Sequence, residues 1–144
     1  MKFYEMIPEK LYQRGKIDGL PEDELQDELR RLNIGLIVNL IARKDPEFPG
    51  IILWEYPIAD NKLPDNRWRT ILPAGVTAYI RNNSHAALIH CNAGRNRSSL
   101  LNAMVLRQYY GITGREAARR VQELRPNALA NEIFLAYLKG LPVP

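Results

Sequence analysis

Nine residues decide how this chain folds and what it can bind: His90-Cys91-Asn92-Ala93-Gly94-Arg95-Asn96-Arg97-Ser98. Before them, Ala86 to His90 is a short apolar run, which predicts a strand. After them, Ser98 to Tyr110 is apolar almost all round, which predicts a helix buried in the middle of a domain. A strand, a tight loop and a helix in this order aim successive backbone N–H groups and a helix N-terminus at one anion. The stretch therefore predicts an anion-binding loop.

The side chains at the two ends of this loop carry its chemistry. Arg97 and the positive end of the helix both favour a thiolate at Cys91. A thiolate can attack phosphorus and take the phosphoryl group, which splits hydrolysis into two easier steps. The planar guanidinium of Arg97 matches two equatorial phosphate oxygens, Gly94 lets the loop turn, and Ser98 is a candidate hydrogen-bond donor to the departing sulfur. The pattern therefore predicts cleavage of a phosphate ester.

Outward from the loop, predicted helices alternate with apolar strands. The predicted strands are a short strand or hairpin within Phe3 to Gly15, a buried strand at Leu36 to Ile41 and a strand at Ile51 to Tyr56. The predicted helices run from Pro21-Glu22-Asp23-Glu24 to a stop near Gly35, from Trp68 to Ile80, from a capping box at Thr113 to near Arg125, and from about Leu129 to Lys139. Pro73 and Gly75 predict a kink or a late start in the helix at Trp68 to Ile80. This alternation predicts an α/β fold, with a central, mostly parallel sheet of about four or five strands and helices on both faces.

Composition and charge set the broad class. A chain of 144 residues suits one domain, residues 1–144, and its 46% hydrophobic content suffices for a core. The net charge of +4 mildly favours anionic partners but is too small to indicate nucleic acid. Residues 1–6 lack the apolar segment of a signal peptide and no stretch is long enough to span a membrane, so we expect a cytoplasmic protein. The single cysteine excludes an internal disulfide.

Residues 90–98, with the order of elements around them, resemble the dual-specificity branch of the protein tyrosine phosphatase superfamily. The signature of that family is His-Cys, five residues, then Arg and Ser or Thr, with Gly third after the Cys, and every one of these positions is matched. Leu11-Tyr12-Gln13-Arg14-Gly15 looks like the opening strand of the family, and Arg125-Pro126 followed by Asn131 and Phe134 resembles its closing segment. The small size favours the dual-specificity branch, because the larger tyrosine-specific members carry an extra recognition loop that has no counterpart here.

The resemblance implies a role for each residue of the loop. Cys91 is the nucleophile, Arg97 holds the phosphate, and Ser98 assists departure of the thiolate. The other phosphate-binding groups are the backbone amides of the loop: Asn92, Ala93, Gly94, Arg95 and Asn96. Arg95 has a second possible role, because family members that act on polyanionic lipids or inositol phosphates often carry a basic residue inside the loop; the alternative is a solvent-facing arginine that only raises the local potential.

The resemblance also implies a general acid, an aspartate about thirty residues before the nucleophile, because an alkoxide or phenoxide leaves poorly without a proton. Asp60 lies 31 residues before Cys91, after Tyr56-Pro57-Ile58-Ala59, which resembles the lead-in of the family. Asp65, 26 residues before Cys91, is the alternative. Pro64 precedes Asp65, which suggests that Asp65 begins the next turn or helix as a capping residue.

The remaining charged and titratable residues are interpreted as structural. His90 is expected to shape the loop through hydrogen bonds, and His85 to lie in a surface loop. Three arginines, Arg115, Arg119 and Arg120, are expected on a solvated helix face. No grouping of residues predicts a metal site, and we expect no cofactor.

The sequence thus predicts a dual-specificity-type phosphomonoester hydrolase that acts through a phosphocysteine. Its substrate class stays open between a phosphorylated protein, a phosphoinositide and a 5′-phosphorylated RNA end. A rhodanese-like sulfurtransferase would also use Cys91 in an anion-binding loop, but it would not explain Arg97, Ser98 or Asp60. A pseudophosphatase that binds phosphorylated partners without turnover is a further alternative, although such proteins usually lack the cysteine, the arginine or the acid.

Overall fold

The computed structural model describes residues 2–15, 17 and 19–144. The strands are β1 (Tyr4–Ile7), β2 (Leu11–Arg14), β3 (Ile34–Asn39), β4 (Ile52–Glu55) and β5 (Ala86–His90). The helices are α1 (Glu22–Arg31), α2 (Asn66–Asn82), α3 (Arg97–Tyr110), α4 (Gly114–Leu124) and α5 (Glu132–Lys139). From β2 to α3 a helix follows each strand except β3, which leads directly into β4.

The strands form one five-stranded sheet in the order β1-β2-β5-β3-β4. β1 and β2 are an antiparallel hairpin, and the other neighbouring strands are parallel. The last residue of β5, His90, pairs with Arg14 at the end of β2 and with Asn39 at the end of β3. Three carboxyl ends therefore meet at one edge, which is where open α/β sheets bind their ligands. The prediction of a mostly parallel sheet is confirmed.

Helices cover both faces of the sheet, because alternate strand residues point to opposite sides. On one face, Leu25 of α1 packs in a buried cluster with Ile37 and Leu88. On the other face, Leu36 and Ile89 belong to a larger cluster that includes residues of the other four helices: Val76, Leu101, Val121 and Phe134. α3 is buried from Ser98 to Leu106, as expected of a helix that is apolar almost all round.

The first helix ends earlier than predicted, and Gly35 does not stop it. α1 ends at Arg31, and Asn33 then reverses the chain with a φ of 58°. Gly35 lies inside β3, where a Cβ atom would come within 2.7 Å of the Cβ of His85 and would also overlap the hydroxyl of Tyr79. A glycine stands there because two neighbours pack directly against this strand: α2 and the loop that precedes β5.

Two other helix boundaries differ from the predictions. α2 begins at Asn66, before Trp68, and continues through Pro73, so the late start is wrong. The helix continues through the proline because the surrounding side of α2, with Leu72 and Val76, is buried in the core and holds it in place. α5 begins at Glu132 rather than near Leu129, since Leu129 has a φ of 59° and cannot lie in a helix.

Candidate active site

The loop between β5 and α3 turns sharply where two glycines face each other. Gly94 has a φ of 71°, and a Cβ atom on it would lie 2.9 Å from the backbone N of Gly15. A Cβ atom on Gly15 would in turn lie 2.9 Å from the carbonyl oxygen of Asn92. Both positions need glycine, because the backbone that leaves β2 packs directly on the loop.

Cys91 lies at the base of this loop, and its side chain is hydrogen-bonded on two sides. The residue is 2% exposed. The backbone N–H of Gly94 donates to Sγ at 3.3 Å, and Sγ lies 3.3 Å from the Oγ of buried Ser98. The Gly94 amide therefore directs a hydrogen-bond donor at the sulfur. Ser98 thus lies within hydrogen-bond reach of the sulfur, the position that its expected role requires.

Arg97 begins α3 and connects the loop to the segment after β4. Its Nη1 donates to the carbonyl of Ile58 at 3.4 Å, and its Nε lies 4.0 Å from Oδ1 of Asp60. The Arg97 side chain is 18% exposed, and its Nε is buried without a hydrogen-bond partner in the described structure. A guanidinium with unused donors at the end of the loop is suited to take the oxygens of a bound phosphate.

The two candidate acids have different surroundings. Asp60 is half exposed beside Arg97, and its backbone carbonyl accepts a hydrogen bond from the Asn131 side chain. Asp65 is the N-cap of α2, where its Oδ1 accepts from the backbone N–H of Trp68 at 2.8 Å. Asp60 therefore lies beside the loop, next to Arg97, whereas the carboxylate of Asp65 caps α2.

The closing segment of the chain holds the far side of the loop. The backbone N–H of Leu129 donates to the Arg95 carbonyl at 2.8 Å, and the backbone N–H of Asn131 donates to Oδ1 of Asn96 at 3.0 Å. Nη2 of Arg125 donates to the Ala93 carbonyl at 3.3 Å. Two of these bonds hold the Arg95 and Ala93 carbonyls of the loop against the closing segment.

Solved structures give the same fold. A point variant of human DUSP28 is 23% identical and superposes with a TM-score of 0.81 over 96% of this chain and 94% of that chain. A mouse putative dual specificity phosphatase, complexed with zinc tungstate, is 26% identical with a TM-score of 0.78 over 95% and 84%. Tk-PTP in its active form is 22% identical with a TM-score of 0.76 over 95% of each chain. No family model and no curated protein matches the sequence.

The chain has the fold of the dual-specificity branch of the protein tyrosine phosphatase superfamily. This confirms the sequence resemblance at the level of the fold. Its structural neighbours are dual-specificity and tyrosine phosphatases.

None of the helices in the described part of the chain has the length and hydropathy that a membrane crossing requires. Residues 2–15, 17 and 19–144 contain no cluster of three or more His, Cys, Asp or Glu side chains that could hold a metal ion.

A buried polar network under the loop escaped the sequence analysis. Gln13 of β2 is fully buried, and its Nε2 donates to the Gly94 carbonyl at 2.6 Å and to Ser99 Oγ at 2.7 Å. Nδ2 of Asn102 donates to Oε1 of Gln13 at 3.3 Å and to the Ser98 carbonyl at 2.8 Å. The network links β2, the loop and α3 on the side that faces the core. The available signal was Asn102, an amide within the otherwise apolar middle of α3.

His90 forms a buried structural hydrogen bond, and its partner, Asp45, was not predicted. Its Nε2 lies 2.6 Å from Oδ2 of Asp45, and both side chains are almost fully buried. Asp45 lies in the loop after β3, so the pair joins the end of β5 to the neighbouring strand connection. His85 is exposed, as predicted. Arg119 and Arg120 pair with Glu116 on the outer face of α4, and Arg115 is also exposed there.

Proposed function

We propose that this chain is a phosphomonoester hydrolase of the dual-specificity phosphatase type, with residues 1–144 as one catalytic domain. The observation that carries the proposal is the position of Cys91: its sulfur accepts a hydrogen bond from the Gly94 N–H at 3.3 Å and lies 3.3 Å from the Oγ of Ser98, at the base of a loop that ends in a guanidinium with a buried, unpaired Nε. The nucleophile and the phosphate clamp come from the two ends of one loop, and the acid comes from the segment that follows β4. The natural substrate is then a phosphorylated protein or another phosphate monoester.

The first step forms a phosphocysteine. The thiolate of Cys91 attacks phosphorus, and the bond from phosphorus to the ester oxygen breaks. Arg97 and the loop N–H groups hold the equatorial oxygens, on which negative charge is spread. Asp60 gives its proton to the leaving oxygen, which departs as an alcohol or phenol.

The second step releases inorganic phosphate. Asp60, now a carboxylate, takes a proton from a water molecule as that water attacks phosphorus. The sulfur–phosphorus bond breaks, and Cys91 leaves as a thiolate. The hydroxyl of Ser98 donates a hydrogen bond to the departing sulfur, which is the role that its 3.3 Å distance supports. Neither step as proposed requires a metal ion.

A turnover screen tests the proposal. The substrates are para-nitrophenyl phosphate, peptides with phosphotyrosine, phosphoserine or phosphothreonine, phosphoinositides, and RNA with a 5′-triphosphate, each with the Cys91→Ser variant as the matched control. The unmodified protein should release phosphate from at least one class in the presence of EDTA, and the variant from none. Tight phosphopeptide binding without turnover would instead indicate a pseudophosphatase, and persulfide formation with thiosulfate would indicate a sulfurtransferase.

A further inference from the structure

Gln13 of β2 lies beneath the loop between β5 and α3, and its side-chain amide makes three hydrogen bonds. Nε2 donates to the Gly94 carbonyl at 2.6 Å and to Ser99 Oγ at 2.7 Å, and Oε1 accepts from Nδ2 of Asn102 at 3.3 Å. The side chains of Gln13, Ser99 and Asn102 are all fully buried. The two-step reaction described above gives Gln13 no part.

The acceptors around Gln13 fix the direction in which its amide points. A backbone carbonyl can only accept, so the atom that faces Gly94 must belong to the NH₂ group of Gln13. Oε1 then faces Asn102, which must present its own NH₂ group, and Oδ1 of Asn102 is left buried without a partner in the described structure. The network thus keeps its bond to the Gly94 carbonyl although one of its own members stays unsatisfied. Such a destabilising compromise is typical of polar groups that serve a function.

The peptide group between Gly94 and Arg95 links the position of its carbonyl to the direction of its N–H. This group is planar, and in a trans peptide the C=O and N–H bonds point in opposite directions. Gln13 holds the carbonyl on the side of the loop that faces the core, so the N–H of Arg95 points to the opposite side, from which a ligand enters. Among residues 2–15, 17 and 19–144, none accepts a hydrogen bond from this N–H.

The preceding peptide group of the loop shows the same relationship. The Ala93 carbonyl accepts from Nη2 of Arg125 at 3.3 Å. The N–H of Gly94, at the other end of that peptide group, donates to the Cys91 sulfur at 3.3 Å. A carbonyl that is held from outside the loop therefore accompanies an N–H that faces the nucleophile.

We infer that Gln13 is a positioning residue of the phosphatase reaction, because by holding the Gly94 carbonyl it aims the N–H of Arg95 at a bound phosphate. The inference deepens the proposed function and rests on it. Gly94 has a φ of 71° and the freedom of a glycine, so the peptide group after it can rotate unless another group holds it. Glutamine suits the position because it donates a hydrogen bond without bringing a charge into the core.

Phosphate protection of Cys91 tests the inference without any need for turnover. Cys91 is the single cysteine of the chain, so iodoacetamide, an uncharged reagent, labels one thiol. Mass spectrometry follows the labelling rate, and a titration with inorganic phosphate gives the Kd of the loop. Gln13→Met, which keeps the length of the side chain but not its amide, should weaken phosphate binding about 10-fold, roughly the contribution of one charge-assisted hydrogen bond.

The labelling rate in the absence of phosphate separates a positioning role from a merely structural one. Gln13→Met should leave this rate nearly unchanged, because the N–H of Gly94 that faces the sulfur belongs to a different peptide group from the one that Gln13 holds. A loop that had lost its shape would instead change both the rate and the protection.

Thr77→Val is the matched control. Thr77 is buried in α2, a helix that contributes no residue to the loop, and its Oγ1 donates to the Pro73 carbonyl at 2.8 Å. The variant therefore also removes a buried side-chain hydrogen bond, but it should leave phosphate protection intact. Denaturant unfolding of both variants shows how much stability each has lost.

A second measurement uses the unmodified protein, so it does not depend on whether Gln13→Met folds. Titration with inorganic phosphate should move the amide proton signal of Arg95 downfield, as this N–H gains an acceptor. The side-chain NH₂ signals of Gln13 should stay in place, because both hydrogens are already bonded within the core. Shifts at Asn96 and Arg97 without a shift at Arg95 would overturn the inference.

The outcomes separate this inference from the proposed function. Phosphate protection that Gln13→Met weakens and Thr77→Val does not supports the inference, even where the unmodified protein shows no turnover. Equal protection in Gln13→Met and the unmodified protein, or an equal loss in both variants, would overturn it and leave the phosphatase proposal standing. A large change in the labelling rate of Gln13→Met without phosphate would also overturn it, by showing that Gln13 supports the whole loop rather than one peptide group.

Discussion

Oδ1 of Asp60 lies 4.0 Å from Nε of Arg97, while the carboxylate of Asp65 caps α2. In the proposed mechanism, the pair joins the acid for the leaving oxygen to the group that holds the phosphate. At this distance and with Asp60 half exposed, the attraction is weak, so Arg97 can turn to a bound phosphate at little cost. Asp60 is held near the loop mainly through its backbone, by the bond from Asn131.

We predict that Asp60→Ala removes the general acid. With a poor leaving group, kcat should fall about 10²–10⁴-fold, the usual contribution of general acid catalysis. With para-nitrophenyl phosphate the loss should be smaller, because that leaving group scarcely needs a proton. The basic limb of the pH–kcat profile should flatten, since it reports loss of the proton from the acid.

Asp65→Ala is the matched control for this prediction. It should leave the basic limb in place and cost about 0.5–2 kcal/mol of stability, because it removes a helix N-cap. If Asp65→Ala abolishes the basic limb while Asp60→Ala keeps it, the roles of the two aspartates must be exchanged.

We predict that Cys91→Ser abolishes turnover and leaves the fold intact, because a serine hydroxyl in this loop is not ionised near neutral pH. In the unmodified protein, iodoacetate should alkylate Cys91, and phosphate or vanadate should slow the reaction by occupying the loop. Activity should persist in EDTA. Alkylation that ignores phosphate, or activity that EDTA removes and a divalent ion restores, would contradict the mechanism.

We predict that Ser98→Ala slows the second step more than the first. Loss of one hydrogen bond to a departing thiolate should lower kcat about 10–100-fold, and the phosphocysteine should then accumulate. Rapid-mixing kinetics should show a burst of para-nitrophenolate equal to the enzyme concentration. Ser98→Thr keeps the hydroxyl and should restore most of kcat, whereas a loss of rate without a burst would assign Ser98 to the first step.

We predict that Arg95→Ala weakens turnover of polyanionic substrates by about 10-fold, and of a monophosphate aryl ester much less. Arg95 is exposed, and its one described side-chain bond is a long one, from Nε to the Asn127 carbonyl at 3.4 Å, so its charge is available to a ligand. Arg115→Ala, which removes an equally exposed charge from α4, is the control. Equal losses on both substrates would show that Arg95 only supports the loop.

We predict that Gly114→Ala destabilises the fold by about 1–3 kcal/mol, the usual cost of overpacking. Gly114 is buried at the start of α4, and a Cβ atom there would overlap the carbonyl oxygen of Leu138 in α5. Denaturant unfolding measures the change. Gly140→Ala is the control: its Cβ atom would lie 3.6 Å from the nearest atom, the Tyr137 carbonyl, and should change stability by less than about 0.5 kcal/mol.

Local patterns in the sequence were sufficient to predict the sheet, the helices that cover it and the loop. Ala86–His90 was predicted with its observed bounds, because a short apolar run between turn residues has few other stable conformations. The helix ends were less predictable. Leu129 continues the apolar pattern of α5, yet its backbone conformation is set by the bond to Arg95 in another part of the chain.

The sequence by itself determined that Cys91, Arg97 and Ser98 would lie close together, because only six residues join the strand that ends at His90 to the helix that begins at Arg97. Only the tertiary structure gave the contact of Asp60 with Arg97, placed Gln13 beneath Gly94, and gathered Lys2, Arg14 and Arg125 around one cavity. These groups lie tens of residues apart along the chain. Their meeting depends on strand order and helix packing, which periodicity along a single segment does not encode.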